Sequence, residues 1–222
     1  MISLEAIDKA KHIVILTSSN SFADASALYT HILRLHKKVS IVSESQTVDN
    51  GLSFLPWFDK LRDIIPSSAD LAIDLDLETE SLYNLFKLND ITINTKMATA
   101  LYAGLLQRFD GFISSDVNGT IFADVSELIQ QGADYKLCNK FIMNRVSLST
   151  LRLKAIMLSS MILIDASKTA QFVISDDDLK SSGADISEAY EIIQEALSLP
   201  YVEKAILKNS DNEVLKLINK EI

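Results

Sequence analysis

The chain has 222 residues, 48% of them hydrophobic and 23% charged, with a formal net charge of −9. That length allows one large domain or two modest ones, and the composition excludes a disordered or low-complexity chain. The surplus of carboxylates repels phosphate backbones, so stable binding of long nucleic acid is not expected.

The N-terminal segment, Met1 to Asp8, is amphipathic and acidic, unlike a signal peptide. His12 to Leu16 is a short, mostly β-branched apolar run that predicts a buried strand, and the polar stretch Thr17 to Ser21 leads from it into a helix over Ala23 to Leu35. A strand at Val39 to Val42, a helix at Trp57 to Ile64 and a strand at Leu71 to Leu75 continue the alternation. Such alternation predicts an α/β fold, a parallel sheet flanked by helices. Met97 to Leu106, rich in small and apolar residues, predicts a tightly packed internal helix, and Val125 to Gln131 a short one closed by Gly132. Leu148 to Ile164 reads as one long helix with a wide apolar face, suited to packing between two units.

Strand and helix signals then restart. Lys168 to Ile174, Lys204 to Leu207 and Glu213 to Ile218 read as strands, and Ile186 to Leu197 as an amphipathic helix. Asp176-Asp177-Asp178 and Ser181-Ser182-Gly183 punctuate the start of this part. The expected boundary lies near Asp165 to Ser167, dividing 1–165 from 166–222. The longest apolar stretch, Ile156 to Ile164, is too short to cross a membrane and holds Ser159 and Ser160, so a cytoplasmic protein without a membrane partner is expected. Cys138 is the one cysteine; it cannot form an internal disulfide and reads as a small buried hydrophobe.

Strand, polar loop and helix N-terminus together make the usual setting for metal and phosphate chemistry in α/β proteins, because loops converge at strand C-termini. The segment Thr17-Ser18-Ser19-Asn20-Ser21-Phe22-Ala23-Asp24-Ala25 resembles the first motif of the DHH-family phosphoesterases, the RecJ-like and nanoRNase-like enzymes, whose loop reads roughly Ser-His-x-Asn-Pro-Asp-x-Asp-Ala. Ser18 stands at the His position, Ser21 at the Pro and Phe22 at the first Asp, while Asn20 and Asp24 remain. Leu52 to Trp57, followed by Pro66 to Asp76, resembles the family's approach to its second metal-binding Asp, with Asp76 at that position. Ala98 to Gly104 is similar to a helix motif of nanoRNase-like members.

The resemblance implies a centre of two divalent ions, usually Mn²⁺, that activates water and clamps phosphate oxygens. Much of the ligand set that it implies has no counterpart here. The interval from Asp76 to Ala98 is too short for the family's Asp-His-His segment, and no histidine follows His36. Where the family places its last metal Asp, the turn reads Gln107-Arg108-Phe109-Asp110, which puts Arg108 at that position and Asp110 two residues on. The family's Gly-Gly-His-rich substrate loop is likewise missing from a tail whose one glycine is Gly183, so 166–222 is expected to be a shortened remnant of the DHH-associated domain.

Ser18, Asn20, Phe22, Asp24, Asp76, Arg108 and Asp110 are therefore expected to form a vestigial cleft with no catalytic residue and no cofactor. Asp24 and Asp76 are the weak metal candidates, able in principle to share one Mg²⁺ or Ca²⁺. Helix capping is the preferred reading for both, Asp76 at a helix beginning near Glu78-Thr79-Glu80. His12, His31 and His36 are expected to be packed or solvated. Arg108 either faces solvent or pairs with Asp24, Asp76 or Asp110, and Phe22 closes the cleft with apolar bulk. The expected function is that of an inactive DHH-like protein that binds a protein partner or a small phosphorylated ligand, self-associating or meeting its partner through the C-terminal part. The alternatives are a residual phosphoesterase on short oligonucleotides or nucleotide phosphates, using Asp24 and Asp76, and a purely structural subunit.

Overall fold

A computed structural model describes residues 2–43, 48–76, 81–143 and 146–220, so Glu78, Thr79 and Glu80 lie outside the described residues. The chain forms two units, Met1–Arg145 and Val146–Ile222.

In the first unit α1 (Leu4–Lys9) starts at Ser3, whose hydroxyl accepts the Ala6 N–H. Then come β1 (His12–Leu16), α2 (Phe22–Arg34), β2 (Lys38–Val42), β3 (Leu61–Arg62), β4 (Leu71–Asp74), α3 (Leu82–Leu88), α4 (Thr95–Arg108), α5 (Gly119–Gln130) and α6 (Tyr135–Cys138). The four strands form a parallel sheet in the order β3-β2-β1-β4. β1 lies between two neighbours and is buried along most of its length, which is why it reads as a continuous apolar run instead of an alternating one. Its start is fixed by Asp70, whose carboxylate accepts the Lys11 and His12 N–H groups at 2.9 and 2.8 Å. Leu16 is in register with both Val42 and Asp74, so the chain leaves β1 and β4 at the same sheet edge. Ile13, Ile15, Ile41 and Ile73 of the sheet share a core with Phe22, Leu28 and Ile32 of α2 and Met97 and Leu101 of α4. Small residues let α4 approach α2 closely: a Cβ added at Gly104 would sit 3.1 Å from Asp24 Oδ1.

One expected helix is absent. Over Trp57 to Ile64 the chain makes a single turn, Phe58–Lys60, and then β3. Trp57 has φ +68°, incompatible with a right-handed helix. Its position is set by distant partners instead, with Nε1–H donating to Thr30 Oγ1 at 2.8 Å and the ring 5.1 Å from Tyr29.

The second unit comprises α7 (Leu148–Ser160), β5 (Ile162–Ile164), β6 (Thr169–Val173), α8 (Asp176–Ser182), α9 (Ile186–Glu195), β7 (Lys204–Lys208) and β8 (Val214–Asn219). Its sheet runs β5-β6-β7-β8 with antiparallel, parallel and antiparallel pairings in turn. Capping boxes begin both α8 (Ser175 with Asp178) and α9 (Asp185 with Glu188), which accounts for the acidic punctuation in the sequence. The long helix expected to reach Ile164 ends at Ser160; the β-branched run that follows becomes β5, turned back onto β6 by Asp165, Ala166 and Ser167, all at positive φ. The expected boundary at Asp165 to Ser167 is thus a hairpin inside the second unit. The division falls earlier because Leu153 and Met157 of α7 are buried with Ala170, Phe172, Ile193 and Leu207 in a core of this unit's own. Among the described residues no helix is long and apolar enough to cross a membrane.

Candidate functional site

The loop from β1 to α2 is closed by hydroxyls. Thr17 continues the β1 ladder, its N–H donating to the Val42 carbonyl at 3.0 Å. Ser18 Oγ and Ser21 Oγ both donate to Asp76 Oδ1 at 2.7 Å. Ser21 spends its one proton there, so it accepts from the Ser18 N–H at 3.1 Å and from the Thr17 hydroxyl at 2.8 Å. The Asp76 N–H in turn donates to Asp74 Oδ1 at 3.0 Å. The shared register of β1 and β4 makes this meeting possible: residues 55 and 58 apart in sequence leave the sheet side by side.

A second arrangement joins α2 to α4. Arg108 Nη2 lies 3.5 Å from Asp24 Oδ2, with the Asp24 side chain 21% exposed and that of Arg108 44% exposed. Burial pushes the Asp24 carboxyl above its ordinary range, and the Arg108 guanidinium opposes that shift. Asp24 lies in the first turn of α2 without being its N-cap, and the helix start expected to be capped by Asp76 falls outside the described residues. Ser21 is the N-cap of α2 and makes no side-chain cap bond, and Asp24 faces Arg108. Asp76 holds the two serines, while α3 begins after Ser81.

The remaining expected residues divide. Asn20 contributes its N–H, bonded to Ser18 Oγ at 3.3 Å. Phe22 is fully buried in the core, edge-on to Phe58 at 5.4 Å. Asp110 opens a strained turn, with φ +46°, +68° and +69° at Asp110, Gly111 and Phe112, and forms no ion pair among the described residues. His12 is buried between Ser68 Oγ at 2.9 Å and Ser40 Oγ at 3.0 Å. His31 packs on Phe86 at 5.2 Å, and burial pushes its imidazole below the usual range. His36 is exposed on a left-handed turn. Cys138 is buried, which pushes its thiol up to about 12 and away from thiolate chemistry.

Sequence reasoning included Ser18 but missed the other hydroxyls of the site. Thr17, Ser21 and Asp74 complete the Asp76 arrangement, and Ser19 accepts the Asp49 N–H at 2.9 Å. The signal that was available is the run Thr17-Ser18-Ser19-Asn20-Ser21, four hydroxyls within five residues at a strand end.

These side chains do not fit the two-ion centre that the resemblance implies. Among the described residues no three His, Cys, Asp or Glu side chains converge as metal ligands. One carboxylate is engaged by a guanidinium and the other by two hydroxyls. The Ser18 and Ser21 protons are already given to Asp76, so the half-exposed Arg108 guanidinium is the donor left for an anionic group.

No family model matches the chain, and no curated protein matches it. Among solved structures it is similar to an exopolyphosphatase-related protein from Bacteroides fragilis, with TM-score 0.68 and 15% identity over 98% of this chain and 82% of that one. A protein described as a family II inorganic pyrophosphatase of Methanococcus jannaschii aligns over 89% of this chain and 83% of that chain at 10% identity, but its TM-score of 0.34 carries no argument. The likeness to the Bacteroides protein concerns the fold, and at that level the chain has an α/β architecture with a parallel four-stranded sheet flanked by helices.

Proposed function

We propose that the chain acts by binding on a DHH-like scaffold and hydrolyses no phosphodiester. The ion pair of Arg108 with Asp24 carries this reading. A carboxylate withdrawn from water needs a positive charge beside it, and Arg108 supplies that charge as a fixed part of the protein. The guanidinium has five N–H donors in a planar fork, and its half-exposed position leaves donors for a second anion. A small phosphorylated ligand is one class that such a fork serves, the other being a carboxylate on a protein partner. The description of the Bacteroides neighbour as exopolyphosphatase-related supports the phosphate class for this scaffold. A cytoplasmic location belongs to the same proposal.

A second reading, residual hydrolysis of short oligonucleotides or nucleotide phosphates, rests on Asp24 and Asp76 both being retained at the start of α2 and the end of β4. Binding and turnover are separable. In thermal-shift titrations with pyrophosphate, nucleoside monophosphates and nucleoside diphosphates, at least one compound should raise the unfolding temperature of the native chain and fail to do so in Arg108→Ala. Stabilisation that persists unchanged in Arg108→Ala would place the ligand elsewhere. Absence of any shift across the panel would remove the phosphate class and leave the protein partner.

A further inference from the structure

We infer that the free edge of β8 pairs antiparallel with β8 of a second copy, closing a two-fold dimer with one continuous sheet. This goes beyond the cleft reading and does not depend on it. β8 ends its sheet and is bonded on one side, to β7. The Lys220 N–H donates to the Glu203 carbonyl at 2.8 Å, and these residues stand opposite each other in the register that pairs Lys204 with Asn219. Bonding alternates along an antiparallel ladder, so Ile218 and Lys216 also turn their backbone groups toward β7. Leu217 and Asn219 turn theirs outward, where no described residue pairs with them.

A β-bulge at Leu215 interrupts the strand near its start, and from Lys216 to Asn219 no described residue covers the edge. Sheet edges are usually guarded by an outward charge, a proline or a covering element. The central lysine, Lys216, lies instead over the Tyr190 ring of α9 at 5.5 Å, drawn to the helix side. Val214, Leu215 and Leu217 are 56%, 39% and 48% exposed. An open groove of about 600 Å³ runs between α9 and β8, lined by Tyr190, Glu191, Gln194, Lys216, Ile218 and Lys220 among others, with room for the side chains of an added strand.

The charge along β8 selects a second copy as the occupant. The strand leaves an acidic turn, Asp211 and Glu213, and is followed directly by Lys220. Glu213 is held in place by Asn209 Nδ2 at 2.9 Å. Antiparallel pairing of two copies sets each acidic end against the other's basic end. With Leu217 opposite Leu217 of the second copy, Lys216 falls opposite Ile218 and, because the β-bulge leaves Leu215 out of the ladder, Asn219 falls opposite Val214 and Lys220 opposite Glu213. No lysine opposes a lysine, the arrangement that destabilises cross-strand pairs. The contact is isologous, so it closes as a dimer and does not propagate.

Sedimentation velocity over a concentration series tests this directly, with circular dichroism as the check on folding. The native chain should show a reversible monomer–dimer equilibrium. Leu217→Pro removes an outward N–H without touching the β7 ladder and should give a monomer; Leu217→Lys, which leaves the backbone unchanged, should do the same. Lys220→Glu should raise the dimer Kd about tenfold through two like-charge contacts, and Glu213→Lys combined with Lys220→Glu should restore it. A native chain that stays monomeric at its highest soluble concentration would overturn the inference. So would a dimer insensitive to both Leu217 variants, or an edge found paired with an extended segment of another protein while the chain alone is monomeric.

Discussion

Arg108 and Asp24 test the account at the scale of single residues. Removing the guanidinium leaves a mostly buried carboxylate without its counter-charge. Arg108→Ala should cost about 1 kcal/mol at neutral pH, read from the denaturant midpoint. The folded carboxyl titrates above its unfolded value, so its ionised form opposes folding and that opposition is relieved as pH falls through the folded pKa. The cost of Arg108→Ala should therefore shrink on acidification and nearly vanish in an Asp24→Asn background. His31 works in the opposite sense. Its folded pKa lies below the unfolded value of 6.5, so the stability it gives is present above pH 6.5 and is lost as pH falls through the folded pKa. His31→Gln should flatten the acid limb of a stability–pH curve; an unchanged limb would mean that His31 does not supply it. The Arg108 pairing could be anticipated from sequence because an arginine replaces a carboxylate in a motif of known layout. The bonds of Asp76 to Ser18 and Ser21 could not: they join residues 55 and 58 apart, and Ser21 read as a lost proline, not as a donor.

Among the elements, the strands buried along most of their length, β1 and β2, announced themselves by their apolar runs. Trp57 to Ile64 was misread because a local pattern does not show that Trp57 is held in a left-handed conformation by Thr30 and Tyr29. β5 merged with α7 for a related reason. A short apolar run has no period of its own, and its hairpin turn carries no glycine or asparagine to mark it. That turn places Ala166 at φ +55°, a conformation that costs an L-residue roughly 1 kcal/mol or more. Ala166→Gly should raise stability by about 0.5 kcal/mol after the added freedom of the unfolded chain is subtracted. Loss of stability in that variant would show that the hairpin adopts another conformation.

At the scale of the whole molecule, two units with separate cores carry two different surfaces. The first presents the serine-bound carboxylate of Asp76 beyond the ends of β1 and β4, and the half-exposed Arg108 guanidinium beside Asp24 of α2. The second presents a strand edge that no described residue covers from Lys216 to Asn219. The architecture was legible in the sequence because alternating strand and helix signals survive the loss of individual motif residues. The chemistry was legible only in part, because its partners meet through sheet register and not through spacing along the chain. The central claim is that this scaffold binds without hydrolysing. Its most direct test is Mn²⁺-dependent turnover of a dinucleotide by the purified chain, measured beside Asp24→Ala and Asp76→Ala. The account predicts no turnover above the metal-only control in any of the three; turnover in the native chain that disappears in both variants would contradict it.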